Sequence, residues 1–111
     1  MSFPGFIKAF PSLDVPFPDD VVQTHAIRSN KGLTVFFEFF KDFTLPPHSH
    51  KDQWGTVVAG TVALTIDGKT SIYKPGDSYF IPSGVVHGVS VTAGTKAIDV
   101  FEEPDRYGLR G

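Results

Sequence analysis

His48-Ser49-His50 is the first place in this chain where residue types and spacing could do chemistry. Side chains two positions apart on an extended segment project to the same side. Two imidazoles so placed can reach one ion at about 2.0–2.1 Å without distorting the backbone. Pro46-Pro47 stiffens the approach to the pair. The chain has no cysteine, which excludes disulfides, thiolate ligation and cysteine nucleophiles. Any metal must therefore be held by His, carboxylate, amide or hydroxyl groups. A His-x-His pair alone is a weak signal, because most such pairs are surface or packed histidines.

Further along, Ala97-Ile98-Asp99-Val100-Phe101 places an acid inside an apolar run. An isolated buried carboxylate is costly, so Asp99 needs a reason. It either faces a cavity as a general acid or base, or lies exposed at a rim. Arg106 follows and could grip a carboxylate with a bidentate fork; its alternative is a solvated tail. Glu38 and Tyr79 are open in the same way, between cavity groups and rim or core residues. His25 reads as a surface or packed histidine, and Trp54 as packing on the outer side of its strand.

The elements that must position these residues are β-strands. Amphipathic helical spacing is scarce, and Pro and Gly interrupt the chain throughout. The pattern predicts strands at Val21–Arg28, Leu33–Phe40, Gln53–Ala59, Val62–Ile66, Lys69–Tyr73, Ser78–Ile81, His87–Val91 and Ala97–Phe101. Asp67-Gly68, between two β-rich runs, is a strong hairpin signal. Asn30-Lys31-Gly32, Pro75-Gly76-Asp77 and Ala93-Gly94-Thr95 supply further turns. Short strands at this spacing make an all-β sandwich or barrel. Residues 1–20, with Pro4, Pro11, Pro16 and Pro18, read as an arm that pairs at an edge or contacts a second subunit. Residues 21–111 read as one domain.

Of the 11 phenylalanines, five fall between Phe36 and Phe43. In Val35-Phe36-Phe37-Glu38-Phe39-Phe40 both faces of a strand are aromatic. The expected explanation is burial on both sides, one face in the barrel and the other against a second copy in a homodimer. Cover by the N-terminal arm is the alternative. A chain of 111 residues with 41% hydrophobic and 20% charged residues supports one core. The formal net charge of -2 offers no basic surplus for nucleic acid. No apolar run approaches the roughly 20 residues that cross a membrane, and no secretory leader is evident, so a cytoplasmic setting is expected.

The spacing of Gly76, five residues, Pro82-Ser83-Gly84-Val85-Val86-His87 resembles the second motif of the cupin family. An Asn that usually follows is Val91 here. The first cupin motif is matched by His48, His50 and the closing Gly60, with Asp42 in place of the opening Gly. The family's usual acid falls at Gln53. The resemblance implies a cupin (double-stranded β-helix, jelly-roll) barrel. It would hold a divalent metal, Zn, Fe, Mn, Ni or Co, on His48, His50 and His87, with Gln53 as the fourth ligand. Asp52 is the alternative fourth ligand, and strand alternation lets only one of the two face the ion. With Gln instead of Glu the site keeps a charge of +2. At about 4 Å and an effective dielectric of 20, one charge unit is worth about 4 kcal/mol, so the site should favour an anionic oxygen ligand.

Asp99-Val100-Phe101 followed by Pro104 and Arg106 also resembles the tail of small cupins that open the ring of unsaturated uronates from pectin and alginate breakdown. That likeness implies that Asp99 moves the proton, Phe101 packs on the sugar and Arg106 binds the uronate carboxylate. Arg106 lies one residue later than that pattern expects, and the loop from His50 to Gln53 is shorter. The expected function is Lewis-acid isomerisation or ring opening of a small anionic oxygenated molecule. An Fe- or Ni-dependent dioxygenase and a non-catalytic metabolite-binding barrel are the alternatives.

Overall fold

A computed structural model describes residues 3–110; Met1, Ser2 and Gly111, at the ends of the arm and tail, lie outside them. In chain order the elements are α1 (Gly5–Lys8), β1 (Leu13–Asp14), β2 (Val22–Arg28), β3 (Leu33–Phe39), β4 (Phe43–His48), β5 (Gln53–Ala59), β6 (Val62–Ile66), β7 (Lys69–Tyr73), β8 (Ser78–Ile81), β9 (His87–Val91), β10 (Lys96–Phe101) and β11 (Gly108–Leu109). Two antiparallel sheets enclose the core, a five-stranded one ordered β2-β3-β10-β5-β8 and a four-stranded one ordered β4-β9-β6-β7. This is the jelly-roll barrel expected.

All eight predicted strands form, to within one residue at their ends, and on β8 and β10 buried residues alternate with more exposed ones. On β10, Ala97, Asp99 and Phe101 are buried while Val100 is exposed. The β6–β7 hairpin turns through Asp67 (φ 52°) and Gly68 (φ 76°). Two consecutive positive φ values are what a tight type I′ turn demands, which is why Asp-Gly stands there.

Two strand pairings escaped the sequence pattern. β4 contains Pro46 and Pro47, which cannot donate to a ladder. It is tolerated because β4 is an edge strand and its pairing with β9 shifts register between Leu45 and His48. β1 and β11 are only two residues each, too short for alternation to show; they pair Leu13 with Leu109 and Asp14 with Gly108. That small sheet ties the N-terminal segment to the tail.

Inside the barrel, Val57, Val62, Leu64, Tyr79, Ile81 and Val91 form one packed cluster. Leu13, Ala26, Leu33, Val35 and Phe101 form a second beneath the β1–β11 sheet. The aromatic strand β3 is covered on both sides within one chain. Phe37 and Phe39 face inward and stack at 5.6 Å. Phe36 faces outward and meets Phe3 at 5.5 Å and Phe10 at 6.1 Å. The arm thus supplies at Phe36 the cover expected of a partner subunit.

Glu38 shares the outward face with Phe36 and is buried there, so it is not a cavity acid. His25, opposite Phe36 on β2, is packed on that face, and neither ring nitrogen has a hydrogen-bond partner. Burial holds the His25 pKa below the usual imidazole range; Glu38 opposes the shift and Lys8 adds to it. An imidazole that resists protonation when folded contributes stability above its unfolded pKa of 6.5 and loses it as pH falls below that value. Melting curves at about pH 7.5 and about pH 5.5 should therefore show a larger loss of stability for the wild type than for His25→Gln. Equal losses would place His25 outside the acid response.

Candidate metal centre

His48 ends β4, His50 lies in the loop after it, and His87 begins β9. His48 and His87 are register partners across the two strands. Their rings lie 4.3 Å apart, with His50 at 4.7 Å from His87 and 5.3 Å from His48. One nitrogen from each ring lies within 4.8 Å of the others, so the three could hold a single ion.

The backbone decides which nitrogens these are. His48 Nδ1 is 3.0 Å from the Pro46 carbonyl, His50 Nδ1 2.7 Å from the Lys51 carbonyl, and His87 Nδ1 2.9 Å from the Val85 carbonyl. A carbonyl only accepts, so each Nδ1 carries the proton and donates it. Each Nε2 is left with a lone pair and no proton, the form in which imidazole binds a metal. His50 Nε2 is buried with no hydrogen-bond partner, an orphan that a cation would satisfy. Burial lowers the pKa of both His50 and His87, and the Arg106 charge lowers both further. For His50 and His87 burial thus favours the neutral form that ligates a metal. These donors fit a divalent metal.

Gln53 starts β5, and its Nε2 donates to Asp99 Oδ1 at 2.9 Å. The carboxylate fixes the amide's orientation and leaves the carbonyl oxygen Oε1 as the free end. Asp52 is elsewhere: its Oδ1 accepts from the Ser83 backbone N–H, holding a surface loop. Asp42, in the place of the motif's opening Gly, accepts from the Ala93 N–H at 2.8 Å and closes another turn.

Asp99 faces the cavity and is almost wholly buried. Tyr79 donates to the same oxygen at 2.7 Å. Asp99 on β10 is opposite Gly55 on β5, and Gly55 is opposite Tyr79 on β8. Tyr79 therefore reaches Asp99 across an intervening strand. A Cβ on Gly55 would overlap the Asp99 carboxylate and the Tyr79 ring, so glycine is what admits the bond. Burial pushes Asp99 up to about 6, while the Tyr79 and Gln53 hydrogen bonds hold it down. Burial and the Asp99 charge push the Tyr79 hydroxyl above the ordinary phenol range, keeping it a donor.

The same cavity is lined by Phe101, Arg106 and Tyr107, and on its far side by apolar residues including Phe37, Phe39 and Leu45. Phe101 meets the His50 ring edge-on at 5.7 Å. The cavity volume is about 80 Å³ and the cavity is partly open to solvent. The tail closes one side. Glu103 Oε1 accepts from the Lys51 N–H at 2.7 Å, and the Glu102 N–H donates to the Asp52 carbonyl at 2.9 Å. The loop carrying His50 thus rests on the segment carrying Arg106. Asp99, Phe101 and Arg106 all come to the histidine cluster, and Glu38 does not. Tyr107 is an addition, an aromatic in a tail with no strand pattern to announce it. The Tyr79–Asp99 bond depends on strand register, which residue types do not encode.

Residues 36–101 match the cupin domain family (Cupin_2). The chain belongs to the cupin family. Over 76 residues, 66% of this chain and 69% of the relative, the cupin is 36% identical to the pectin degradation protein KdgF of Dickeya dadantii (strain 3937). Among solved structures, KdgF from Halomonas sp. superimposes with a TM-score of 0.72 at 25% identity, covering 88% of this chain and 94% of that one. An RmlC-like cupin from Shewanella frigidimarina NCIMB 400 gives a TM-score of 0.74 at 26% identity, covering 89% and 87%. No helix among the described residues is long and apolar enough to cross a membrane.

Proposed function

We propose that this cupin is a metal-dependent isomerase that opens the ring of an unsaturated uronate. The observation that carries the reading is the convergence of three unprotonated Nε2 atoms, a buried carboxylate and an arginine on one cavity. The likeness to a pectin degradation protein supplies the substrate class.

In this reading His48, His50, His87 and the Gln53 carbonyl hold the ion. When bound, the metal supplies a Lewis acid that favours an anionic oxygen. Ring opening adds and removes no atoms overall: the anomeric hydroxyl loses a proton and becomes a carbonyl, the ring carbon–oxygen bond at that carbon breaks, and the released enolate becomes a ketone as its alkene carbon gains a proton. Asp99 moves that proton. Burial raises its pKa above the ordinary carboxylate range, which suits a group that must both accept and donate a proton. Tyr79 and Gln53 fix the carboxylate, so it meets the substrate in one orientation. Arg106 takes the substrate carboxylate, and Phe101 gives its ring to the sugar face. Val62, Val89 and the inward phenylalanines keep water from the inner wall.

Metal-loaded protein should consume a 4,5-unsaturated uronate without oxygen, seen as loss of alkene absorbance and a linear keto product by mass spectrometry. A strict oxygen requirement would instead favour a dioxygenase, and tight binding with no product would favour a sensor. Homodimerisation is part of the proposal. Its surface is the uncovered outer row of Ile27, Val100, Trp54 and Phe80, which runs in register across the five-stranded sheet. Light scattering on wild type and Trp54→Glu would test it; a monomeric wild type would contradict it.

A further inference from the structure

We propose that Tyr107 is a positioning residue for Arg106, holding the guanidinium over its ring beside the cavity so that its donors stay available to a substrate carboxylate. This rests on the uronate reading for the identity of the anion, and on the structure for the device.

Arg106 is a guanidinium beside the histidine cluster, yet among the described residues no carboxylate forms an ion pair with it. Among the described residues the ion pairs are Lys41–Asp20 and Arg110–Asp19, both on the surface. Arg106 Nε is buried with no hydrogen-bond partner. A long side chain without a partner has many rotamers, and ordering it only on ligand arrival costs affinity. What holds it here is a ring: the guanidinium carbon lies 4.5 Å from the Tyr107 centroid. A planar cation over an aromatic face is attracted to it while its donors stay free.

Tyr107 is in turn held. Its ring meets Phe101 edge-on at 6.0 Å with an interplanar angle of 90°, and Phe101 meets His50. The next residues, Gly108 and Leu109, are β11, paired with β1. The Arg110 N–H continues that attachment to the Ser12 carbonyl at 2.8 Å. Ring contacts thus run from the metal-site histidine through Phe101 and Tyr107 to Arg106. The separation between the histidine cluster and the proposed carboxylate clamp is thus set by edge-to-face ring contacts rather than by a flexible tail.

The test uses the full-length, metal-loaded protein with Tyr107→Leu and Tyr107→Phe. Nitrogen relaxation at Arg106 Nε, measured without ligand, reports whether the guanidinium is held. Calorimetric titration with galacturonate, which has no alkene to react, and with its methyl ester reports the anion contact. The expected result is an ordered Nε in wild type and Tyr107→Phe and a mobile one in Tyr107→Leu. Galacturonate should bind about tenfold more weakly to Tyr107→Leu, the ester unchanged. Tyr107→Phe retains the ring and guards against a folding artefact. An Arg106 Nε equally ordered in all three proteins would overturn the proposal. Failure of wild type to bind any uronate would sink the uronate reading instead, while the relaxation data still decide the role of Tyr107.

Discussion

Replacing Asp99 by Asn should lower turnover of an unsaturated uronate by about 10²–10⁴-fold, the usual contribution of a positioned acid or base, while leaving metal content and fold intact. Asn is close in size and keeps a carbonyl oxygen for the Tyr79 and Gln53 donors. What it loses is the ability to take up and release a proton. The fall should therefore appear in kcat with little change in KM, because in the proposed mechanism Arg106 rather than Asp99 takes the substrate carboxylate. Kinetics on metal-loaded protein, with elemental analysis of the same sample, would measure both. A variant with wild-type turnover would remove Asp99 from the chemistry. One that loses its metal as well would show that Asp99 acts only by orienting Gln53.

His50→Ala should weaken metal binding by at least about 100-fold and abolish turnover. Losing only the outer partner of a ligand commonly costs about 10–100-fold in affinity, and in the proposed site the ligand itself would be removed. His50 is the informative member of the three. It lies in a loop and not in a ladder, so truncation spares the strand pairing that His48 and His87 share. Its loop remains tied down through the Lys51 N–H and Glu103. Competition against a coloured chelator gives the affinity, and a melting curve shows that the barrel persists. Unchanged affinity would mean that the ion, if bound, sits elsewhere.

The strands and their turns were legible because alternation, β-rich runs and Asp67-Gly68 are local signals. β4 was not, since Pro46 and Pro47 argue against a strand everywhere except at an edge with a register shift. His48, His50, His87 and the position of Gln53 were readable through the likeness to the two cupin motifs, since a His-x-His pair by itself is a weak signal. Whether Asp99 faces inward was not, because alternation separates two faces without saying which is the core. The same ambiguity hid the place of Glu38: with Phe36 and Phe40 on one side and Phe37 and Phe39 on the other, both faces look like an interior. The arm resolves it by packing Phe3 and Phe10 on Phe36. Gly55 reads as an ordinary glycine until β10 and β8 are placed on either side of it. Contacts made through register lie between segments, beyond any window on one strand.

Diffraction from crystals of the metal-loaded protein, collected at the absorption edge of the added ion, tests the central claim most directly. The expected result is one anomalous peak per chain, within bonding distance of Nε2 of His48, His50 and His87 and of Gln53 Oε1. A cavity without a peak at saturating metal, or an ion bound away from those three rings, would contradict the account.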